Sequence, residues 1–179
     1  MPNKPVWKRL TTKQLLNHPR LTVFEDDIVL PNGEKSTYLH FGEATHAAMI
    51  IAINDEGKIL VQKEYSYPPN EWLYQFPGGG LKPQEAPLEG AHRELAEEAN
   101  LTGDMEQIGW FYVDNRRRQD KMYVFIARNL QAVPGEKDAE EAFEYSWLAP
   151  KQIGKLIAEG QITNFSILAG WALYCFGAA

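Results

Sequence analysis

A mixed α/β sandwich is the fold class this sequence predicts, and three observations carry it. Short apolar runs separated by turn residues fill the first half. One helix-length segment with helical periodicity follows a glycine loop, and two more helix-length segments close the chain. Strands and helices do not alternate one for one, so a doubly wound parallel sheet is excluded. At 179 residues there is length for one domain with a sizeable core, here divided into an N-terminal segment over 1–44 and a core over 45–179.

Taken in order, residues 11–17 suggest a short helix. Residues 21–30 and 35–41 read as an antiparallel hairpin, because Asn32-Gly33 supplies the positive φ angles of a tight turn. Strands over 47–53 and 58–65, joined at Asn54-Asp55-Glu56-Gly57, read as a second hairpin. The aromatic stretch Trp72, Tyr74 and Phe76 then leads to the loop Pro77-Gly78-Gly79-Gly80.

A helix over 86–99 follows, with Pro87 in the first turn, where a missing N–H is no loss, and Leu88, Ala91, Leu95 and Ala99 as its apolar stripe. Strands over 107–113 and 122–127, a strand over 144–148, a helix over 150–159 and a buried C-terminal helix capped near Thr163 or Asn164 complete the order.

A formal charge of −6 excludes a nonspecific nucleic-acid binder, whose affinity would come from many Lys and Arg contacts to phosphate. Cys175 is the only cysteine, so neither an internal disulfide nor a cysteine-built zinc site is available. No secretory signal is visible in residues 1–10, and the apolar part of 165–179 is shorter than the ~20 residues that cross a bilayer. The expectation is a cytoplasmic protein without membrane or nucleic-acid partners, with Cys175 in the core.

Chemistry concentrates in one place. Glu94, Glu97 and Glu98 are spaced three and four apart, which puts them on one helix face. Like charges so placed destabilise a helix by roughly 0.2–0.5 kcal/mol per pair, whereas a hard divalent cation reverses the balance. Alone, such a run is more often a solvated helix face, with Arg93 and Glu97 an ordinary pair. The flanking residues change that reading.

Written out, the segment is Gly79-x5-Glu85-x7-Arg93-Glu94-Leu95-x-Glu97-Glu98-x-Asn100-Leu101. It resembles the signature of the Nudix hydrolases, G-x5-E-x7-R-E-U-x-E-E-x-G-U with U aliphatic. At average composition the matches arise by chance on the order of 10⁻⁹ per starting position. The one departure is Asn100 in place of glycine, and Asn tolerates the left-handed conformation that ends a helix.

The resemblance implies a Nudix-type α/β/α sandwich with a mixed sheet and hydrolysis of a diphosphate linked to another moiety, with Mg²⁺ or Mn²⁺ as cofactor. It implies Glu94 and Glu98 as principal metal ligands, Glu97 as a further ligand or holder of metal-bound water, and the Gly78 carbonyl as an additional ligand. Arg93 takes the place of the orienting arginine and Glu85 that of its structural partner, while Gly79 belongs to the glycine turn. A general base would come from the acidic run before residue 144, with Glu140 the first choice and Glu141 the alternative; a solvated acidic loop is the competing reading.

Outside that segment, Val29-Leu30-Pro31-Asn32-Gly33, Tyr67-Pro68 after a strand and Gly160-Gln161-Ile162 before the last helix are similar to the ADP-ribose pyrophosphatase branch, where an N-terminal antiparallel segment helps build a homodimer. Ser66 stands where many members carry arginine, and Arg116, Arg117 and Arg118 offer a replacement cation for phosphate or sugar, or else form a solvated turn. A nucleotide sugar, ADP-ribose or a related ADP-sugar, is the implied substrate. The alternatives are another nucleoside polyphosphate, or a module that senses a nucleotide sugar without turnover.

Overall fold

In the computed structural model, three N-terminal strands form an antiparallel sheet in the order β1 (Lys8–His18), β2 (Leu21–Val29), β3 (Lys35–Phe41). The structure describes residues 6–42, 44–134 and 144–177. The helix expected over 11–17 is absent, because that stretch lies inside β1. Thr11 and Thr12 are β-branched, and their hydroxyls donate across the strand pair to Asp27 Oδ2 and Asp26 Oδ1, both at 2.6 Å. The β2–β3 turn closes as its residues require, with Gly33 at φ +87 and its N–H donating to Leu30 O.

Residues Met1–Thr45 and Tyr112–Asp120 form one compact unit, and His46–Phe111 with Lys121–Ala179 form the other. In the first, the loop of 112–120 is tied to β3: the Phe41 amide donates to Arg117 O at 2.9 Å, and the Arg117 guanidinium donates to Leu39 O at 2.9 Å.

The second unit is built from two sheets. A mixed four-stranded sheet contains β4 (Ala47–Ala52), β7 (Gly78–Gly80), β8 (Leu101–Tyr112) and β9 (Lys121–Ala132), with β4 parallel to β9 and antiparallel to β7 in the order β7-β4-β9-β8. An antiparallel three-stranded sheet contains β5 (Ile59–Ser66), β6 (Glu71–Gln75) and β10 (Glu144–Leu148) in the order β10-β5-β6. Three helices complete it: α1 (Pro87–Ala99), α2 (Pro150–Ala158) and α3 (Phe165–Phe176).

The second hairpin expected from sequence is therefore only a turn. Asn54 and Gly57 close it, but beyond the single Ile53–Ile59 bridge the two strands part into different sheets. The reason lies in β4, whose residues are apolar on both faces. Such a strand belongs inside a sheet between two neighbours, and β7 and β9 occupy those places.

Alternation along β4 divides the core. Met49, Ile51 and Ile53 face one cluster with Ile153 of α2 and Ile167 of α3, while Ala48, Ile50 and Ala52 face another with Ala91 and Leu95 of α1. Of the apolar stripe expected on α1, Leu88 departs: it is 45% exposed, because the first turn extends past the sheet-facing pair Ala91 and Leu95. The C-terminal helix is half buried rather than buried. It packs Ile167 and Gly170 inward and leaves Phe176 88% exposed. Cys175, expected in the core, is exposed in the last turn of the helix, and residues 176 and 177 are exposed too.

Candidate active site between the glycine strand and helix α1

Helix α1 begins where its sequence allows. Pro87 occupies the first turn, and the Glu89 carboxylate accepts from the Ala86 amide at 3.3 Å. It ends at Asn100, held left-handed at φ 54, with its amide donating to Ala96 O. The carboxylates are thereby fixed opposite β7.

Arg93 organises the helix face. Its Nε and Nη2 donate to the two oxygens of Glu85, each at 2.8 Å, in a fork that suits a planar guanidinium. Its Nη1 donates to Glu94 Oε1 at 2.7 Å and Glu97 Oε2 at 2.8 Å, and Nη2 also reaches Gly80 O at 3.0 Å. Hydrogen bonds from Arg93 first, then from the Lys82 amide, hold the Glu85 carboxyl down at about 2. The same bonds, Glu85's foremost, hold the Arg93 proton above the ordinary arginine range.

Glu94 lies on the packed side of α1. At 8% exposure it lies beside Ala91 and Leu95, against the glycine strand. Glycine permits that approach: a Cβ on Gly79 would come within 2.7–2.8 Å of the Glu94 carboxylate. Gly78, at φ +150, has no room either, since a Cβ there would collide with the backbone carbonyl of Ala48. The Gly78 amide donates to Glu98 Oε2 at 2.9 Å, so β7 seats a second carboxylate as well.

Two contacts to Glu98 come from residues the sequence reading passed over. Gln62 on β5, 2% exposed, donates through Nε2 to Glu98 Oε2 at 3.2 Å, and the Tyr145 hydroxyl on β10 donates to the Glu98 backbone carbonyl. A signal for Gln62 was present: it follows Ile59-Leu60-Val61 and shares the face of Leu60, which packs in the α1 cluster. A lone amide on such a face has something polar to meet.

The site offers hard oxygen donors in the carboxylates of Glu94, Glu97 and Glu98. That chemistry fits a hard divalent cation, as does the close approach the glycines permit. Among the described residues no three carboxylate, imidazole or thiolate groups converge as a metal cage; Arg93 Nη1 takes one oxygen each from Glu94 and Glu97 instead. Glu140 and Glu141, the base candidates, lie outside the described residues.

The arginine run is divided by its partners. The Arg117 guanidinium stacks over Tyr38 at 5.2 Å and bonds Leu39 O, while that of Arg118 lies over Phe41 at 4.6 Å and pairs with Asp120 at 3.2 Å. Arg116 has no such side-chain partner among the described residues, and it lines a hollow of about 260 Å³ with Arg9, Asp26, Tyr38 and His40. Burial works to raise the Asp26 carboxyl there, but hydrogen bonds from Thr12 and His40 and the charges of His40 and Arg9 together lower it.

Of the aromatic trio, Phe76 is core, Tyr74 carries Lys63 over its ring at 4.5 Å, and half-exposed Trp72 pairs with Tyr65. Although Cys175 is exposed, partial desolvation by its neighbours raises the thiol above its ordinary value, away from nucleophilic use.

The sequence matches the family model of the NUDIX domain over residues 44–169. It is 27% identical over 135 residues to the ADP-ribose pyrophosphatase of Bacillus subtilis (strain 168), covering 75% of this chain and 72% of that protein. It is 26% identical over 151 residues to the CMP-5'-(N-acetyl-N-hydroxy-3-aminopropyl)phosphonate hydrolase of Streptomyces rubellomurinus, covering 84% and 73% respectively. A crystal structure of an ADP compounds hydrolase shares the fold, with a TM-score of 0.86 and 20% identity over 94% of this chain and 91% of that one.

Proposed function

The chain belongs to the Nudix hydrolase family and resembles its ADP-ribose pyrophosphatases, and on that premise we propose that it hydrolyses the pyrophosphate bond of a nucleoside diphosphate linked to a sugar. ADP-ribose or a related ADP-sugar is the proposed substrate; the products are a nucleoside monophosphate and a sugar phosphate. The observation that carries the reading is the glycine strand seated against the carboxylates of Glu94 and Glu98, with Arg93 bridging Glu94 to Glu97 and the Gly78 amide holding Glu98.

Glu94, Glu97, Glu98 and the Gly78 carbonyl would hold Mg²⁺, or Mn²⁺. Bound there, the cation supplies charge neutralisation for the diphosphate and lowers the pKa of a bound water. The chain does the positioning. Arg93 joins Glu94 and Glu97 through one nitrogen and orients them, Glu85 holds Arg93, and the bare backbone at Gly78 and Gly79 lets an anion come close. Glu140, or failing it Glu141, is proposed as the base that takes the water proton.

We assign the enzyme to the cytoplasm and to a homodimer. The supporting feature is β1, an edge strand exposed along its length that presents Leu10, Leu15 and Leu16. Sedimentation at micromolar concentration tests the dimer.

The deciding assay compares AMP release from ADP-ribose with pyrophosphate release from nucleoside triphosphates, in Mg²⁺ and in Mn²⁺. AMP release is expected to dominate. Glu98→Gln is expected to lower turnover by more than about 100-fold while the fold persists, because it removes a ligand rather than an outer-shell partner worth roughly 10–100-fold. Wild-type activity in that variant at saturating Mg²⁺ would refute the ligand assignment.

A further inference from the structure

Gln62 is a buried amide at the end of the apolar, buried half of β5. Its neighbours Ile59, Leu60 and Val61 are core residues, and burying an amide among them is unfavourable unless its hydrogen bonds are made. One is made: Nε2 donates to Glu98 Oε2 at 3.2 Å. The other polar atom, Oε1, is buried and has no partner among the described residues. A packing role does not explain the residue, since leucine or methionine would fill the same volume at no such cost.

The carboxylate it meets is held on the same oxygen from a second side. Gly78 N of β7 and Gln62 Nε2 of β5 both donate to Oε2 of Glu98, and these strands belong to different sheets. Each donor alone leaves a carboxylate free to turn about the hydrogen bond. Two donors from rigid elements fix its direction.

We propose that Gln62 is a positioning residue for Glu98, aiming its carboxylate for a divalent cation, with Oε1 available to accept from a water of that ion's shell. The inference rests on the metal-site reading above. It adds a residue outside the signature segment, contributed by a strand of the other sheet.

The test uses the full chain with Mn²⁺ alone as probe, its affinity measured by the electron-spin signal of free Mn²⁺, in wild type, Gln62→Met and Glu98→Gln. Methionine keeps the volume and removes the donor. Gln62→Met is expected to weaken Mn²⁺ binding about 10-fold or more, within the range for loss of an outer-shell partner, while its thermal midpoint holds or rises.

With ADP-ribose as substrate, turnover of Gln62→Met should recover as Mn²⁺ is raised, whereas Glu98→Gln should not recover. A Gln62→Met protein that binds Mn²⁺ as tightly as wild type overturns the proposal and leaves the metal site standing. Loss of the folded state in Gln62→Met assigns the residue to stability and overturns it too. Wild type that binds no Mn²⁺ overturns the metal-site reading, and this inference falls with it.

Discussion

Arg93 and Arg117 are both fixed arginines, held by opposite kinds of partner. Arg93 spends its guanidinium on three carboxylates and one carbonyl, in a face shielded by the glycine strand. Arg117 lies over the ring of Tyr38 and reaches one backbone carbonyl, at the exposed tip of its loop. The first arrangement leaves anions that need a cation; the second leaves a cation already used. Position in a motif and position in a run are different facts, and the opposing groups decide what a charge can do.

The largest effect is expected at Arg93. Lysine keeps the charge but cannot fork to Glu85 while reaching Glu94 and Glu97, so Arg93→Lys gives up the hydrogen bonds that join these carboxylates. Stability should fall by about 3 kcal/mol, toward the cost of breaking a buried pair, and activity should fall with it. Urea unfolding of Arg93→Lys measures this. A variant indistinguishable from wild type would make the Arg93 network no different from an exposed surface pair.

Gly79→Ala comes next and separates chemistry from folding. The added Cβ meets the far end of the Glu94 side chain, which can swing aside, so stability should change by only about 1 kcal/mol or less. Activity should fall by at least about 10-fold, because the carboxylate leaves its place. Parallel kinetics and thermal melts check the split, and loss of both in proportion would make Gly79 a structural position only.

Glu85 sharpens the comparison through pH. Its carboxyl is depressed from the usual 4.5 to about 2 by Arg93, so its contribution is complete above about 4.5 and disappears as pH falls toward 2. Stability measured from pH 5 to pH 2 should therefore decline more steeply in wild type than in Glu85→Gln. Equal slopes would remove Glu85 from the acid transition.

The parts legible in sequence were those set by local chemistry. The glycine turn, the helix with its Pro87 start and Asn100 stop, and the β2–β3 hairpin each have residues that demand their conformation. The pairing partners of β4 were not legible, since an apolar run says it is buried without saying beside what. Residues 11–17, expected as a short helix, form a strand instead, because their hydroxyls meet Asp26 and Asp27 of β2, more than a dozen positions away and invisible to local pattern. In the site, Arg93 to Glu98 share one helix, but Gln62 and Tyr145 reach Glu98 only through the tertiary fold.

The smallest effects should fall on the arginine run, and they should differ within it. Arg117→Ala removes a stacked ring contact and one hydrogen bond to an exposed carbonyl that water can replace, a loss of about 1 kcal/mol. Its effect on substrate binding should be slight, because the guanidinium is already engaged. Arg116→Ala removes no side-chain bond within the described residues, so stability should stay within about 0.5 kcal/mol. If the run supplies the cation that Ser66 does not, the KM for ADP-ribose should rise several-fold in Arg116→Ala alone, and more at low salt than at high. Equal KM values in the two variants would return the whole run to the reading of a solvated turn, and the phosphate grip would have to be sought elsewhere in the chain.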